Sequence, residues 1–516
     1  MKNESFETGP APAADTRFSF LELLTAPHQA REESGTVVMA MSPGEVHDIG
    51  KTVIQSLFKA NGFKVMDLGT LAAAGDLAAA AVEHRADIVG VSCMLTSSLT
   101  QLKEIARALE EQDVDVNFLV GGPGLTPAMT ACHIAPFYTR GLTIYVKDLY
   151  QCHELSRALL DSQQRAAIKK ATALEYMEIR TQYHQQKFAK EILSLEEARQ
   201  RRTPINWEEF TPQTPSFLGN WVIESMELTS LTEYIDWSTL FLGFGLKGKF
   251  PQILRDPRIG EQAQRIYDDG CELLDRIVKD KLLEPRAVIG FYPANSVGDD
   301  IEIYSDRDGK SSLGMLHTLR QQAVHEDAKP YYALADFIAP KESGKPDFIG
   351  AFAVSCGFGL KELQDEFSAA GDDYRLIMAK VLADCLAEAL AEHLHSRVRR
   401  EYWGYAPEEN LSIADMYCCR FQGIRPAPGY PACPEHSEKE FLFNLLDVTG
   451  NIKIDLTPSY AMAPAASVCG FYFCHPQSKY YWLGTVGRDQ VEEYARRKDV
   501  EISFVEQQLQ MHLNYV

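Results

Sequence analysis

The sequence is short of positive charge. Lysine and arginine number 51 against 72 aspartates and glutamates, a formal net charge of −21. That balance argues against nucleic acid and anionic membrane surfaces as partners. Long hydrophobic runs are missing too. The most apolar helix candidate, about residues 376–394, carries Lys380, Asp384, Glu388 and Glu392 at four-residue steps. That spacing reads as a solvated face and excludes a membrane span. No basic stretch leading into an apolar core opens the chain, so no signal peptide is expected. The eleven cysteines are scattered and odd in number, which reads as reduced thiols and a cytoplasmic location. Paired metal-ligand motifs are lacking. Cys433-Pro434-Glu435-His436 offers two ligands three apart, half a site, and Cys418-Cys419 is isolated, so no zinc is expected. There is no internal repeat and no low-complexity tract.

What is there is enough for about three ordinary domains: 516 residues, 45% of them hydrophobic. Residues 1–30, rich in Ala, Pro, Thr and Glu, read as a loose, flexible tail. Over residues 31–164, apolar runs alternate with helical stretches. Strands are expected at 36–41, 63–69, 87–92, 117–122 and 142–146. Five such units predict an α/β, flavodoxin-like (Rossmann-like) doubly wound parallel sheet. No Gly-x-Gly-x-x-Gly follows the first strand, which argues against a dinucleotide. Residues 165–205 are polar and helix-prone, a linker with helical segments. From 206 to 516 the alternation is lost. Long helices (256–282, 373–400) and shorter strands such as 287–292 predict a larger α+β domain.

Gly44-Glu45-Val46-His47-Asp48-Ile49-Gly50 lies between the first strand and its helix. The helix has apolar residues at 49, 53, 54, 57 and 58 on one face. His47 therefore sits at the carboxyl end of a parallel strand, where open α/β sheets bind ligands.

The pattern Glu45-x-His47-x-x-Gly50, the segment Ser92-Cys93-Met94-Leu95-Thr96-Ser97-Ser98-Leu99 and the pair Gly121-Gly122 together resemble the cobalamin-binding module of methionine synthases and related corrinoid proteins. The resemblance implies that Gly44, Glu45, Val46, His47 and Asp48 meet the cofactor. It implies that His47 is the axial ligand to cobalt, with its second nitrogen held by Glu45 and then Ser98. Members usually carry Asp where Glu45 stands, one methylene shorter. Ser92 and Thr96 would hydrogen-bond the nucleotide tail, Gly121-Gly122 would let backbone approach it, and Leu149 would contact it by backbone. Ser98-Leu99-Thr100-Gln101 also fits a capping box.

The remaining 300 residues or so resemble the reactivation domain of methionine synthase, which binds S-adenosylmethionine (SAM). The matching segments include Tyr234-Ile235-Asp236-Trp237, Pro293 to Asp300, Ala339 to Gly344, Tyr402 to Pro407, Gly423 to Pro434 and Asp489-Gln490-Val491-Glu492. By that resemblance Arg425 offers a bidentate fork to the SAM carboxylate. Ala427, Gly429 and Tyr430 lie on an extended, Pro-pinned loop whose backbone meets adenine. Asp236 takes a cationic or hydroxyl group, and Tyr480-Tyr481 line the ring and ribose. Read on residues alone, Asp236 equally fits a helix cap and the tyrosines fit core aromatics. Two segments depart from the family: Leu456-Thr457-Pro458-Ser459, where Leu-Thr-Glu-Ser is usual, and Ala463, where Trp is usual.

The implied cofactors are cobalamin (methylcobalamin) and SAM. The implied activity is a methyltransferase of methionine synthase type that remethylates cob(II)alamin reductively, for methionine biosynthesis. No flavin or iron–sulfur motif appears, so a flavodoxin-like electron donor is expected as a partner. Homocysteine and folate modules are not among the motifs found. Separate homocysteine- and methyl-donor-binding subunits of a split enzyme are therefore expected, as is an upper cofactor face without a helical cap. The alternative is a corrinoid carrier or sensor of another methyltransferase system with a vestigial SAM domain. The intact run Arg425 to Tyr430 argues against it.

Overall fold

The computed structural model describes residues 35–515 except 72, 96–97, 190, 224–225 and 326–328. The tail expected over 1–30, and Thr96, expected to hydrogen-bond the nucleotide tail, lie outside the described residues.

The first module is the expected parallel sheet. Its strands are β1 (Thr36–Met41), β2 (Lys64–Thr70), β3 (Ile88–Ser92), β4 (Asn117–Gly121) and β5 (Leu142–Val146), in the order β2-β1-β3-β4-β5. Every neighbouring pair is parallel. That is the flavodoxin-like order, and it reverses between β1 and β3, which leaves a crevice at their carboxyl ends. The helices that cross between strands or follow them include α1 (Ile49–Ala60), α2 (Leu99–Glu111) and α3 (Leu149–Ala158), with a further helix, Gly75–Glu83, between β2 and β3. Apolar residues of β1 and β3 are fully buried, as a sheet covered on both faces requires.

The stretch expected as a linker begins with a single 28-residue helix, α4 (Ser162–Ala189). It is fastened to the first module. Arg180 Nε donates to the Ala131 carbonyl at 2.7 Å, the Tyr176 hydroxyl accepts from Tyr145 N at 2.9 Å, and Arg165 Nη2 pairs with Asp115 at 2.5 Å.

The second module is α+β around an antiparallel sheet. Its long central strands are β7 (Glu284–Val297) and β10 (Asp347–Phe358). Around them lie β6 (Gly219–Ile223), β8 (Asp300–Tyr304), β9 (Ser312–His317) and, later in the chain, β13 (Ser467–Tyr472). The order is β13-β10-β7-β8-β9, with β6 also on β7. β11 (Asp455–Leu456) and β12 (Met462–Ala463) form a separate two-stranded ribbon.

One helix, α5 (Asp373–Arg397), joins the modules. It packs on β10 on one side and on α1 on the other, so apolar residues surround it on nearly every face. One continuous hydrophobic cluster runs from β1 and α1 through α5 into the second sheet. The row Lys380, Asp384, Glu388, Glu392 is therefore solvated only in part: Glu388 is exposed and Asp384 half-buried. Lys380 and Glu392 are buried, at 6% and 5% exposure, and Asp384 and Glu388 face the cleft between the modules. The sequence spacing was real, but the wet side it pointed to is that cleft.

Candidate functional site

The His47 loop is built at the module boundary. Thr457 Oγ1 donates to the Gly44 carbonyl at 2.6 Å and Ser459 Oγ to the Pro43 carbonyl at 3.0 Å. Lys380 Nζ reaches Asp48 Oδ2 at 2.8 Å and Thr52 Oγ1 at 2.9 Å, and Ser56 Oγ donates to Asp373 at 2.9 Å. The segment Leu456 to Ser459, one of the two departures, thus clasps the first module directly. Gly44 is obligatory: it has φ +82, and a Cβ there would lie 2.0 Å from Ser459 Oγ.

Glu45 is fully buried, and its Oε1 accepts from Ser98 Oγ at 2.8 Å, Leu95 N at 2.9 Å and Met94 N at 3.1 Å. The expected Glu45–Ser98 link is present. Ser98 Oγ donates its hydrogen bond to Glu45 and makes no side-chain cap on α2, so the capping-box reading fails. The expected Glu45–His47 bond is not made. Buried His47 Nδ1 and Glu45 Oε2 have no partner, and the backbone of Ala465, from the other module, bears on the ring. The longer Glu side chain reaches past the histidine to the backbone N–H groups after β3, which explains the difference. Burial, then the Lys439 cation, hold His47 below its ordinary value, so the ring is neutral and free to act as a ligand. Val46 is half-buried in the same loop.

Two cavities meet at His47. The first, of about 750 Å³, follows the crevice at the carboxyl ends of the strands and is lined by Ser92, Gly121, Gly122 and Leu149. Gly122 has φ +122, and a Cβ would sit 2.1 Å from the Cys93 carbonyl, so the missing side chain also lets the β3 loop pack. Leu149 opens α3 behind Asp148, which caps Gln151 N at 2.9 Å.

The second cavity, of about 480 Å³, lies between the modules and is lined by Ala427, Gly429 and Tyr430 with Asp384, Glu388, His436 and Lys439. The loop from Ala427 is a tight turn and not an extended segment. Tyr430 N donates to Ala427 O at 3.1 Å and Gly429 N to Cys433 O at 2.7 Å, so these N–H groups are engaged within the loop. Gly429 has φ +98, and a Cβ would meet His436 Cε1 at 2.3 Å. Arg425 is paired already: Nη1 donates to Glu392 Oε2 at 2.7 Å, and its backbone N donates to the Tyr480 hydroxyl at 2.9 Å. A bidentate fork is thus reduced to the Nε–Nη2 edge. Asp236 caps the helix Trp237–Gly243 through Ser238 N at 2.9 Å. Tyr480 stands beside Arg425, but partly buried Tyr481 turns the other way and packs on Tyr332, ring centroids 5.6 Å apart. Adjacent residues in an extended segment point to opposite sides, which separates the pair.

Sequence reading missed Asp384, Glu388, His436 and Lys439. Burial raises Asp384 to about 7, with Glu388 and Asp48 adding to the shift, and burial also raises Glu388. Burial and Lys439 push His436 down to about 3, and its Nδ1 lies 3.0 Å from Lys439 Nζ. The Cys433–His436 stretch thus serves the cavity wall. Glu435 is bonded to Ser437 and Lys498. Among the described residues no three His, Cys, Asp or Glu side chains converge as a metal site, and no helix is long and apolar enough to cross a membrane.

The family model described as "Vitamin B12 dependent methionine synthase, activation domain" matches residues 227–499. The chain belongs to this family. A second model, "B12 binding domain", matches residues 35–138 of the same chain. The chain therefore joins a cobalamin-binding domain to a methionine synthase activation domain. Among solved structures, the MetH reactivation domain bound to AdoHcy is 49% identical, with a TM-score of 0.61, and the match covers 63% of this chain and 99% of that one. A cobalamin-binding protein from Desulfitobacterium hafniense is 23% identical, with a TM-score of 0.22, over 24% of this chain and 58% of that one. The methanol:cobalamin methyltransferase complex from Methanosarcina barkeri is 21% identical, with a TM-score of 0.23, over 27% and 52%.

Proposed function

We propose that this protein binds cobalamin at the His47 loop, binds SAM in the cavity between its modules, and catalyses SAM-dependent reductive remethylation of cob(II)alamin for methionine synthesis. The observation that carries the reading is the meeting of the two cavities at His47. The residues fit the cofactor. A neutral histidine leaves a buried nitrogen unpartnered beside a crevice floored by Gly121 and Gly122. The related domain solved with AdoHcy, the product of methyl transfer from SAM, supports a SAM site on the matching module.

When bound, cobalamin supplies a cobalt centre that takes up an electron and then a methyl group. The chain's own residues do the rest. His47 would hold the cofactor through a neutral ring nitrogen. Asp384 and Glu388 offer negative charge to a sulfonium. Arg425 and Tyr480 lie beyond the lining of this cavity, next to its Ala427 loop, and would offer a cationic edge and a hydroxyl to the amino-acid end. The docked modules exclude water and bring the two reactants into one enclosed space. The remaining roles in this reading are a flavodoxin-like electron donor, separate homocysteine- and methyl-donor-binding subunits, and a cytoplasmic location.

The test supplies SAM, cob(II)alamin and a strong reductant to the purified chain and follows methylcobalamin by absorbance. Formation of methylcobalamin is expected, and its absence refutes remethylation. Homocysteine and methyltetrahydrofolate are then added; sustained methionine formation without another protein refutes the split-enzyme reading. The Arg425–Glu392 pair favours one second reading, a corrinoid carrier with an idle SAM site. SAM binding in calorimetry excludes it.

A further inference from the structure

The crevice cavity has walls from both modules. Gly245, just beyond the helix Trp237–Gly243, has φ +75 and sets its backbone against Leu149; a Cβ would lie 3.0 Å from Leu149 Cδ1. Lys247 follows Gly245 by two residues, and Lys147 precedes Leu149 by two. The two cations thus flank one contact between the modules, and both line the cavity. Both are exposed, and among the described residues neither forms an ion pair with a carboxylate. Of the other ionisable groups on this wall, Lys51 bonds Asp67 at 2.6 Å, Asp148 caps α3, and Asp384, raised by burial to about 7, also lines the second cavity. Two unneutralised cations facing a crevice that fits a nucleotide tail call for an anion.

We propose that Lys147 and Lys247, one from each module, close on the phosphodiester of the cobalamin nucleotide tail, so that the cofactor itself ties the modules together. This rests on the cobalamin reading above. An ammonium bonded to phosphate is a charge-assisted contact, stronger than a neutral hydrogen bond. Two such contacts from different modules make tail binding and module docking favour each other.

The test is titration of the full-length chain with hydroxocobalamin and with dicyanocobinamide, which lacks the phosphodiester, ribose and base. Lys247→Ala and Lys147→Ala should each raise the Kd for hydroxocobalamin about five- to tenfold and leave the Kd for cobinamide unchanged. Lys247→Arg should restore parental affinity, and added salt should weaken the parent more than the double variant. Unchanged hydroxocobalamin binding in both variants overturns the clamp. So does an equal loss with both ligands, which reports a general effect on the crevice. Failure of the parent chain to bind either ligand removes the cobalamin reading itself, and the clamp with it.

Discussion

Buried His47 Nδ1 and buried Glu45 Oε2, two residues apart on one loop, both lack a partner. The pair that would fix the histidine under a corrin is on one loop, yet the two atoms that would join are both bare. Burying an unmatched donor or acceptor costs about 1–3 kcal/mol, so this arrangement is held at a cost.

His47→Ala should convert bound methylcobalamin to the spectrum of a cofactor without a lower histidine ligand. Absorbance at neutral pH, parent against variant, reads this directly. Identical spectra would remove His47 from the ligand role.

Arg425→Ala should weaken SAM binding at least tenfold in calorimetry, since a charged contact is lost. It should also lower thermal stability, because Glu392, 5% exposed, is left buried without its cation. Arg425→Lys keeps the charge and separates the two effects. Unchanged SAM affinity in both variants would take Arg425 out of the site.

Affinity for SAM should rise with pH between about 6 and 8. Asp384, raised to about 7, is protonated and neutral below that value and ionised above it. A cationic sulfonium is attracted only to the ionised form, so the sign is positive with pH. Asp384→Asn should flatten the profile. A parental profile already flat across this window would show that Asp384 does not face the ligand.

Gly429→Ala should destabilise the chain by about 1–3 kcal/mol and weaken SAM binding. The methyl group enters a φ of +98, 2.3 Å from the His436 ring. A parental midpoint of thermal unfolding in the variant would mean that the turn relaxes freely.

Local pattern carried the first module almost completely. The alternation of apolar runs and helical faces located all five strands, and with them the loop that holds His47. The Gly44 and Gly429 positions carry positive φ, and glycine marks such places in a sequence because it lacks a Cβ. In the second module the long helices and the central strand were visible, but the strand order was not. Antiparallel neighbours such as β10 and β13 join residues more than a hundred positions apart.

By itself, then, the sequence determined which residues lie on strands, helices and loops, and which loops gather at the ends of the parallel strands. These are short-range matters, settled by periodicity within a dozen residues. Only the tertiary structure decided who meets whom. It placed Glu45 on the Leu95 N–H, Asp48 on Lys380, Gly44 on Thr457 and Arg425 on Glu392. It also turned Asp384 and Glu388 of α5 toward a shared cavity. A four-residue polar stripe looks the same in sequence whether solvent or an internal cleft lies beside it, because helix periodicity records only that one side is wet.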